Sequence, residues 1–333
     1  MIKNSFEYLT PESLDEAYEL KKDCDDSYYL GGGTDLIPLL KYNVKEPKRI
    51  ISLEKIMELK EIKKSEDGLF IGSMVPLTQV YENEIIIENF PIIAQAARRV
   101  ASPQIRNIGT IGGNIMQDRR CMYYNQSDEW RSNLAKCFKT GGNICHQAPK
   151  SGECRALYYS DIAPALLSLD VEAVVFDTEL RRIPVRELID DHVNKNGLLD
   201  TNDFILKGFF ISFLPKNSWM NFEKYSLRAS IDFPVMNIAA RYSINSKDSI
   251  VRIVVGAVLP TPIELIDTEK FILENIQNLK EVKANLEELA LSEISSKSKL
   301  IRETGFSIKV KRNTYKNIFK VLDDLSLKIS EIK

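Results

Sequence analysis

The run Gly109-Thr110-Ile111-Gly112-Gly113-Asn114 decides the fold of this chain. A second run, Leu30-Gly31-Gly32-Gly33-Thr34-Asp35-Leu36, lies upstream of it and continues from a predicted strand over residues 28–30. Glycine lets the backbone approach a ligand closely, and successive N–H groups at a turn form a site for an anion. Two runs that each carry a threonine indicate a dinucleotide whose pyrophosphate is held from both sides, although either run alone is more simply a tight turn.

Neither run matches the common nucleotide-binding motifs. Counted from Gly31, the third glycine position of the Rossmann fingerprint is Leu36, and no strand–helix–strand unit with a downstream acid follows. A Walker sequence does not occur in the chain. The sequence therefore predicts a dinucleotide site of a different architecture.

Length and charge exclude several classes of protein. The chain has 333 residues, of which 44% are apolar and 28% are charged, enough for two or three folded domains at roughly 150 residues each. A formal net charge of −2 argues against a protein that binds nucleic acid through phosphate contacts. The apolar stretches are too short to span a bilayer, and residues 1–7 show no signal core. We therefore expect a cytoplasmic protein without membrane insertion.

Four of the five cysteines form a cluster with the spacing C-x15-C-x7-C-x8-C. In a cytosolic protein such a cluster indicates metal binding or redox chemistry before disulfides. The spacing matches neither a zinc ribbon nor a ferredoxin, and thiolates suit zinc and iron–sulfur clusters equally. Either kind of site explains how residues 115–156, which show little periodicity, become ordered. A structural zinc in a scaffold without redox activity is a serious alternative.

Periodicity and turn residues predict the elements of the chain. Helices are predicted over residues 11–22, 77–88, 91–100, 163–167, 263–275, 280–291 and 311–332. Strands are predicted over residues 28–30, 49–52, 61–64, 69–73, 171–176, 182–185, 204–214 and 251–258. Residues 102–114 are read as a polar, glycine-bearing stretch, and residues 222–225 and 239–244 as strands or short helices. His192 is expected on the surface, and Asp161 either caps the next helix or accepts a hydrogen bond from a cofactor ring.

Five motifs along the chain resemble those of one known family. They are residues 31–36, 104–114, 160–166 (SDIAPAL), 223–225 (EKY) and 256–262 (GAVLPTP). In this order, over essentially the whole chain, they resemble the FAD-binding medium subunit of the xanthine dehydrogenase family of molybdenum hydroxylases. The resemblance implies an α+β fold, in which a FAD-binding domain of the vanillyl-alcohol-oxidase type with two subdomains precedes a smaller α+β C-terminal domain.

The resemblance also divides the chain. The FAD-binding, PCMH-type domain covers residues 1–216, with subdomains of about 1–55 and 56–216. A C-terminal domain like that of CO dehydrogenase flavoproteins covers residues 217–333. The boundary between them falls at Lys216-Asn217-Ser218, where the sequence changes character.

An insert of about residues 115–156 separates this chain from most of that family, and it carries all four clustered cysteines. The arrangement resembles the flavoprotein subunits of the 4-hydroxybenzoyl-CoA reductase group, which hold an additional [4Fe–4S] cluster in such an insert. The resemblance implies FAD and a [4Fe–4S] cluster in an oxidoreductase subunit of anaerobic aromatic degradation, with no catalytic residue of its own. A FAD subunit of the xanthine, nicotinate or CO dehydrogenase type is the alternative.

Partners and site residues are implied in the same way. The partners are a small [2Fe–2S] subunit, a large molybdopterin subunit and a ferredoxin-type electron donor. Backbone amides of residues 31–35 and 110–114 hold the FAD pyrophosphate, Asp161 faces the flavin ring or ribityl chain, Lys224 lies near the isoalloxazine, and Ala101 borders the cofactor. The residues assigned to FAD are Leu30, Gly31, Gly32, Gly33, Thr34, Asp35, Leu36, Ala101, Thr110, Ile111, Gly112, Gly113, Asn114, Asp161 and Lys224. The residues assigned to the cluster are Cys121, Cys137, Cys145 and Cys154.

Overall fold

Three β-sheets, built one after another along the described part of the chain, organise the fold in this computed structural model. The structure describes residues 2–194, 204–228, 231–244, 249–297 and 313–332. The strands are β1 (Glu7–Leu9), β2 (Ser27–Leu30), β3 (Arg49–Ser52), β4 (Ile62–Lys64), β5 (Gly68–Gly72), β6 (Glu172–Phe176), β7 (Leu180–Pro184), β8 (Ile205–Ser212), β9 (Ser218–Tyr225), β10 (Met236–Ile244), β11 (Ser249–Gly256) and β12 (Ile263–Glu264).

The helices lie between and after these strands. They are α1 (Leu14–Lys22), α2 (Leu36–Lys41), α3 (Leu77–Glu82), α4 (Glu84–Asn89), α5 (Pro91–Arg98), α6 (Pro103–Ile108), α7 (Ile111–Ile115), α8 (Asp128–Arg131), α9 (Ile162–Ser168), α10 (Val185–Asn194), α11 (Ile266–Glu274), α12 (Lys283–Lys297) and α13 (Ile318–Ile332). Short 3₁₀ helices cover Met57–Lys60 and Phe138–Thr140. The predicted helix over 311–332 begins outside the described residues.

The first sheet is parallel, with the strand order β1-β3-β2. Parallel strands need a crossover connection, and α1 lies in the connection between β1 and β2. Ser13 caps α1 by accepting the N–H of Glu16 at 3.2 Å, so the helix begins at Leu14 and not at residue 11. Because β2 ends at Leu30, the first glycine run emerges at the carboxyl edge of a parallel sheet, where ligands commonly bind.

The second sheet is antiparallel, with the strand order β4-β5-β8-β6-β7. Its inner face packs side chains such as Ile71 and Phe209 against α3, α5, α9 and α10 in one continuous apolar core. Its outer face carries Phe210, whose ring lies across the strands over Gly68, so that a Cβ added at this glycine would be 2.9 Å from the ring. Helix α5 is followed by α6, which ends at Ile108, directly before the second glycine run.

The third sheet is antiparallel, with the strand order β12-β11-β10-β9. Residues 222–225 and 239–244, for which the sequence left strand and helix open, belong to β9 and β10. The helix predicted from residue 263 begins at Ile266, because Ile263 pairs with β11 as part of β12. Helix α9 packs against β10 and β11 and so joins the third sheet to the second.

Two other predicted segments differ from the structure. Residues 102–114 contain α6 and α7, each begun by a hydroxyl cap, Ser102 and Thr110, within a sequence whose glycines hide helical periodicity. The helix predicted over 77–88 breaks at Asn83, because the side chain of Asn83 accepts the N–H of Ile86 and begins a new helix. Hydrophobic periodicity therefore did not predict these short, capped helices.

The antiparallel second and third sheets, with helices packed against them, confirm the predicted α+β class. Each sheet lies within one of the segments 1–55, 56–216 and 217–333, and the division into domains stays a prediction. Among the described residues, none of the helices combines the length and the apolar character that a membrane span requires.

We expect Phe209→Ala to lower the free energy of unfolding by about 3–5 kcal/mol, because it leaves a cavity in the core of the second sheet. The neighbouring change Phe210→Ala is the matched control. Its ring is half-buried on the outer face beneath the guanidinium of Arg182, so the loss should stay below about 2 kcal/mol. Urea denaturation measures both values. Equal losses would contradict the assignment of the two faces.

Candidate cofactor-binding site

An open cavity lies where the two glycine runs meet, and it contains about 1100 Å³ of space not filled by protein. The turns pack so closely that a Cβ added at Gly32 would lie 1.9 Å from the carbonyl oxygen of Ile108. A Cβ added at Gly31 would lie 3.2 Å from Oγ1 of Thr110. Glycine is therefore required where the two turns touch, which explains the composition of the first run.

The backbone of both runs stays accessible from the cavity. Thr110 caps α7 by accepting the N–H of Gly113 at 3.0 Å. Outside that helix, the Thr110 hydroxyl is the only described atom within 4 Å of a Cβ added at Gly113. Gly33 adopts a φ of +73°, a conformation that glycine enters without strain. Backbone without side chains therefore faces one cavity from two sides. The N–H groups of residues 111–114 donate within the protein, so those of the first run are the donors that fit an anionic group.

Most of the residues assigned to FAD line this cavity. They are Leu30, Gly31, Gly32, Gly33, Thr34, Asp35, Leu36, Thr110, Gly112 and Gly113. Ile111 is instead buried in the core of the second sheet. Oδ1 of Asn114 accepts a hydrogen bond from the hydroxyl of Ser160 at 2.7 Å and so ties the second run to the start of α9. Residues that the sequence did not indicate, among them Lys21 and Met74, complete the wall.

Asp161 and Lys224 form a buried ion pair close to the second glycine run. Nζ of Lys224 lies 2.7 Å from Oδ2 of Asp161 and donates to the carbonyl oxygen of Arg99 at 2.8 Å. Nδ2 of Asn237 donates to the other carboxylate oxygen at 2.9 Å. Burial raises the pKa of Asp161 above its ordinary value, although Lys224 lowers it in part. Ala101, at a φ of +39°, follows Arg99 closely, so the structure brings these three assigned residues into one neighbourhood.

His192 is buried and lines the cavity, so the expectation that it lies on the surface is wrong. Helix α10 turns Val185, Leu188 and Ile189 into the core, and His192 continues the same helical spacing. That spacing is the signal in the sequence that could have located it. Nε2 of His192 lies 3.3 Å from the carbonyl oxygen of Gln117. Burial lowers the pKa of His192, and the imidazole is therefore neutral near pH 7.

The four clustered cysteines line a second cavity, which contains about 280 Å³ of space not filled by protein. They are Cys121, Cys137, Cys145 and Cys154. Burial raises the pKa of Cys121 to about 11, although the N–H groups of Tyr123 and Tyr124 point at its sulfur from 3.4 and 3.3 Å. Nε2 of His146 is engaged with the carbonyl oxygen of Ala135 at 2.8 Å. In the described residues no group of three or more His, Cys, Asp or Glu side chains is close enough together to hold a metal ion.

The insert that carries these cysteines is closed at its base. Arg120 and Leu157 exchange two backbone hydrogen bonds of 2.8 and 3.0 Å as an isolated β-bridge. Asp35 of the first glycine run accepts the N–H of Asp118 at 3.0 Å and Nη2 of Arg120 at 2.5 Å. A carboxylate in the wall of the first cavity therefore holds the first residues of the insert.

A buried ion pair between Lys139 and Asp118 lies between the two cavities. Nζ of Lys139 also donates to the carbonyl oxygen of Arg119 at 2.7 Å and lies 4.0 Å from the centre of the Tyr124 ring. Burial alone would raise the pKa of Asp118, but the ammonium groups of Lys139 and Lys45 outweigh it and hold the pKa below its ordinary value. Burial lowers the pKa of Lys45 to about 8. These side chains were missed in the sequence, because they lie in segments without periodicity.

Comparison with known proteins identifies a family of FAD-binding domains. A family model described as the FAD binding domain in molybdopterin dehydrogenase matches residues 4–207. The carbon monoxide dehydrogenase medium chain of Hydrogenophaga pseudoflava is 36% identical over 116 residues, which are 34% of this chain and 40% of that one. The glyceraldehyde dehydrogenase medium chain of Sulfolobus acidocaldarius is 36% identical over 115 residues, which are 34% and 41% of the two chains. The chain thus aligns with about two fifths of the length of these relatives.

Other similarities extend over nearly the whole chain. A putative xanthine dehydrogenase FAD-binding subunit of Escherichia coli is 25% identical over 295 residues, 87% of each chain. The solved structure of a carbon monoxide dehydrogenase from Hydrogenophaga pseudoflava superposes with a TM-score of 0.75 at 20% identity and covers 99% of both chains. Quinoline 2-oxidoreductase from Pseudomonas putida superposes with a TM-score of 0.70 at 20% identity and covers the same shares. These superpositions confirm the predicted fold.

We expect Lys224→Met to destabilise the chain by about 3–5 kcal/mol near pH 7.5, because it leaves the Asp161 carboxylate buried without its cation. The lost cation raises the pKa of Asp161 further above its unfolded value. The folded variant therefore takes up a proton more readily than the unfolded chain, and its deficit shrinks as the pH falls through the raised pKa. Urea denaturation at about pH 7.5 and about pH 5.5 measures the change. Lys320→Met, which removes an exposed partner of Glu223, is the control and should cost less than about 1 kcal/mol. A deficit that does not depend on pH would contradict the buried pair.

Proposed function

This chain belongs to the family of FAD-binding domains of molybdopterin dehydrogenases, and on that premise we propose its function. We propose that it is the FAD- and [4Fe–4S]-containing electron-transfer subunit of a molybdenum-dependent reductase of the 4-hydroxybenzoyl-CoA type. In this role it relays electrons between a ferredoxin-type donor and the [2Fe–2S] and molybdopterin subunits. The observation that carries the proposal is the pair of glycine turns that face one cavity.

The residues of that cavity fit FAD. Backbone of both turns lines it, and a side chain at Gly32 would prevent their approach. Because the N–H groups of residues 111–114 donate within the protein, we assign the pyrophosphate to the N–H groups of residues 31–35. When bound, FAD supplies the redox chemistry, and the protein supplies binding, orientation and electrostatics. The buried Asp161–Lys224 pair provides a fixed polar group next to the second turn. We assign to it the position beside the flavin that the family resemblance implies.

The four cysteines support an iron–sulfur cluster in the insert. All four line one small cavity, and two backbone N–H groups already point at the sulfur of Cys121. Hydrogen bonds of this kind to thiolate sulfur tune the potential of such clusters. His146 also lines this cavity, but four thiols already complete a tetrahedral donor set, and four thiolates suit iron–sulfur and zinc. We propose the cluster and not zinc, because a cluster gives the insert a role in electron transfer and zinc does not.

The surface of the insert supports a small acidic electron donor of the ferredoxin type. Residues 115–156 contain seven basic and four acidic side chains, in a chain whose formal charge is −2. Without the buried Arg119, Lys139 and Asp118, five basic and three acidic side chains remain. Trp130 is 42% exposed, and its ring lies 5.9 Å from that of Tyr123. Tyr123 also borders the second cavity, which the four cysteines line and which we call the thiol cavity. The exposed Lys136 and Lys150 lie in the same segment. An aromatic surface with unlike charge favours rapid, weak docking of an acidic partner.

A second candidate is the FAD subunit of another molybdenum hydroxylase. The names of the aligned relatives favour it, since they include medium chains or FAD subunits of carbon monoxide, glyceraldehyde and nicotinate dehydrogenases. The insert distinguishes the two candidates, because the proposed reductase needs iron in it. A zinc-bound scaffold without flavin is the remaining alternative.

The decisive experiment is anaerobic purification with a visible spectrum and FAD, iron, sulfide and zinc analysis on one sample. We expect about one FAD, four iron and four sulfide per chain. FAD with zinc, or without metal, would remove the cluster and favour the second candidate. A chain with neither FAD nor iron after reconstitution would overturn the proposal.

Gly113→Val should weaken FAD binding about tenfold or more, because its side chain enters the cavity between the turns. Gly152→Val is the matched control, since it is not among the residues that line the cavity and a Cβ added there would meet no described atom within 4 Å. Titration of the metal-free chain with FAD, followed by flavin fluorescence, measures the dissociation constant. Unchanged affinity in Gly113→Val would place the pyrophosphate elsewhere.

Cys137→Ser should abolish most of the iron content and the brown absorbance while FAD stays bound, because the thiolate set loses one of four ligands. Cys24→Ser is the control, since Cys24 lies outside the insert and should leave the iron content unchanged. Iron and flavin analysis of both variants measures the difference. Full iron in Cys137→Ser would contradict the ligand assignment.

A further inference from the structure

We propose that Asp35 couples the two cavities, so that FAD binding in one and metal binding in the other strengthen each other. The inference rests on the proposed function, because it takes FAD and a thiolate-bound metal as the two ligands. Asp35 is here a positioning residue. Its side chain acts through residues 118–120 and does not reach the metal.

The carboxylate of Asp35 accepts hydrogen bonds from the insert and not from its own helix, α2. Asp35 stands at the N-cap position of α2, yet its side chain makes no capping hydrogen bond to that helix. Its two oxygens accept instead from the backbone N–H of Asp118 at 3.0 Å and from the guanidinium of Arg120 at 2.5 Å. One main-chain donor and one guanidinium define both the position and the direction of the held segment.

Two routes lead from this segment to the thiol cavity. Along the first, the side chain of Asp118 pairs with Lys139, which borders the thiol cavity; the two side chains are 5% and 1% exposed. Along the second, Arg120 forms the β-bridge with Leu157 that closes the insert and directly precedes Cys121. Both routes begin at Asp35, which lines the first cavity.

Coupling follows from the fact that one side chain serves both sites. Backbone N–H groups of residues 31–35 can hold a pyrophosphate together only in one conformation of the turn, and that conformation also sets where the Asp35 carboxylate lies. A ligand that orders the turn therefore leaves less ordering to be done when the thiols gather around a metal. Linkage requires the reverse effect to be equal in size.

The test is a titration of the intact chain with FAD, followed by flavin fluorescence, before and after the thiols are loaded with ferrous iron and sulfide under anaerobic conditions. Loading should lower the dissociation constant of FAD roughly fivefold or more in the unmodified chain. Asp35→Asn, which keeps the size and the backbone N–H of the residue, should lose most of this ratio. Asp128→Asn is the matched control, because its carboxylate lies in the same insert but is 61% exposed and 3.7 Å from Arg131. It should keep the full ratio.

Arg120→Met removes half of the contact from the insert side and leaves the glycine run untouched, so it gives the answer if Asp35→Asn does not fold. A reduced ratio in this variant supports the coupling. A ratio near one in the unmodified chain, with both ligands bound, overturns the coupling and leaves the proposed function standing. An undiminished ratio in both variants overturns the role of Asp35. An unmodified chain that binds no FAD at all, or FAD but no iron, overturns the proposed function and the coupling with it.

Discussion

The backbone of Gly32 lies directly against that of Ile108, and the arrangement of the site depends on this contact. A Cβ at Gly32 would come within 1.9 Å of a carbonyl oxygen, and one at Gly112 within 2.6 Å of the Cβ of Ser73. These two approaches fix three segments around one cavity: the turn after β2, the turn after β5 and the start of α7. A cavity made of backbone at such a junction tolerates change in most other side chains. This agrees with a fold that is shared at only 20% identity.

The cavity could be predicted from the sequence because its walls require glycine. Runs of glycine, which let backbones approach closely, are visible in the sequence without a structure. The clustered cysteines were also visible, and the structure lines one cavity with all four. The burial of His192 is indicated only by its helical spacing with Val185, Leu188 and Ile189, which is easily overlooked because its side chain is polar. The contacts among Asp35, Asp118 and Lys139 could not be found, because they join residues far apart in sequence that follow no period.

Buried ion pairs occur where distant segments meet. Lys224 and Asp161 join β9 to the start of α9, and Lys139 and Asp118 join the middle of the insert to its first residues, which follow α7. Such pairs add little net stability, because desolvation offsets most of the Coulomb attraction, but breaking one leaves an unpaired buried charge. Their effect is to penalise any other arrangement of the segments. In both places, a different arrangement of the segments would displace backbone that the proposed function requires at a fixed position.

The insert illustrates how a second site can be added to a fold without disturbing the first. Its ends lie side by side in the bridge between Arg120 and Leu157, so the insert joins the rest of the chain at one place. The entropic cost of a longer loop grows slowly with its length. What the insert lacks is an apolar core of its own, for Cys145, Cys154 and Tyr124 are among the few buried apolar side chains between residues 121 and 155. Under the proposed function, metal binding by the thiols supplies the missing folding energy. The ion pair and the Asp35 contact then orient the loop, because a loop fixed only at its two ends could swing relative to the cavity beside it.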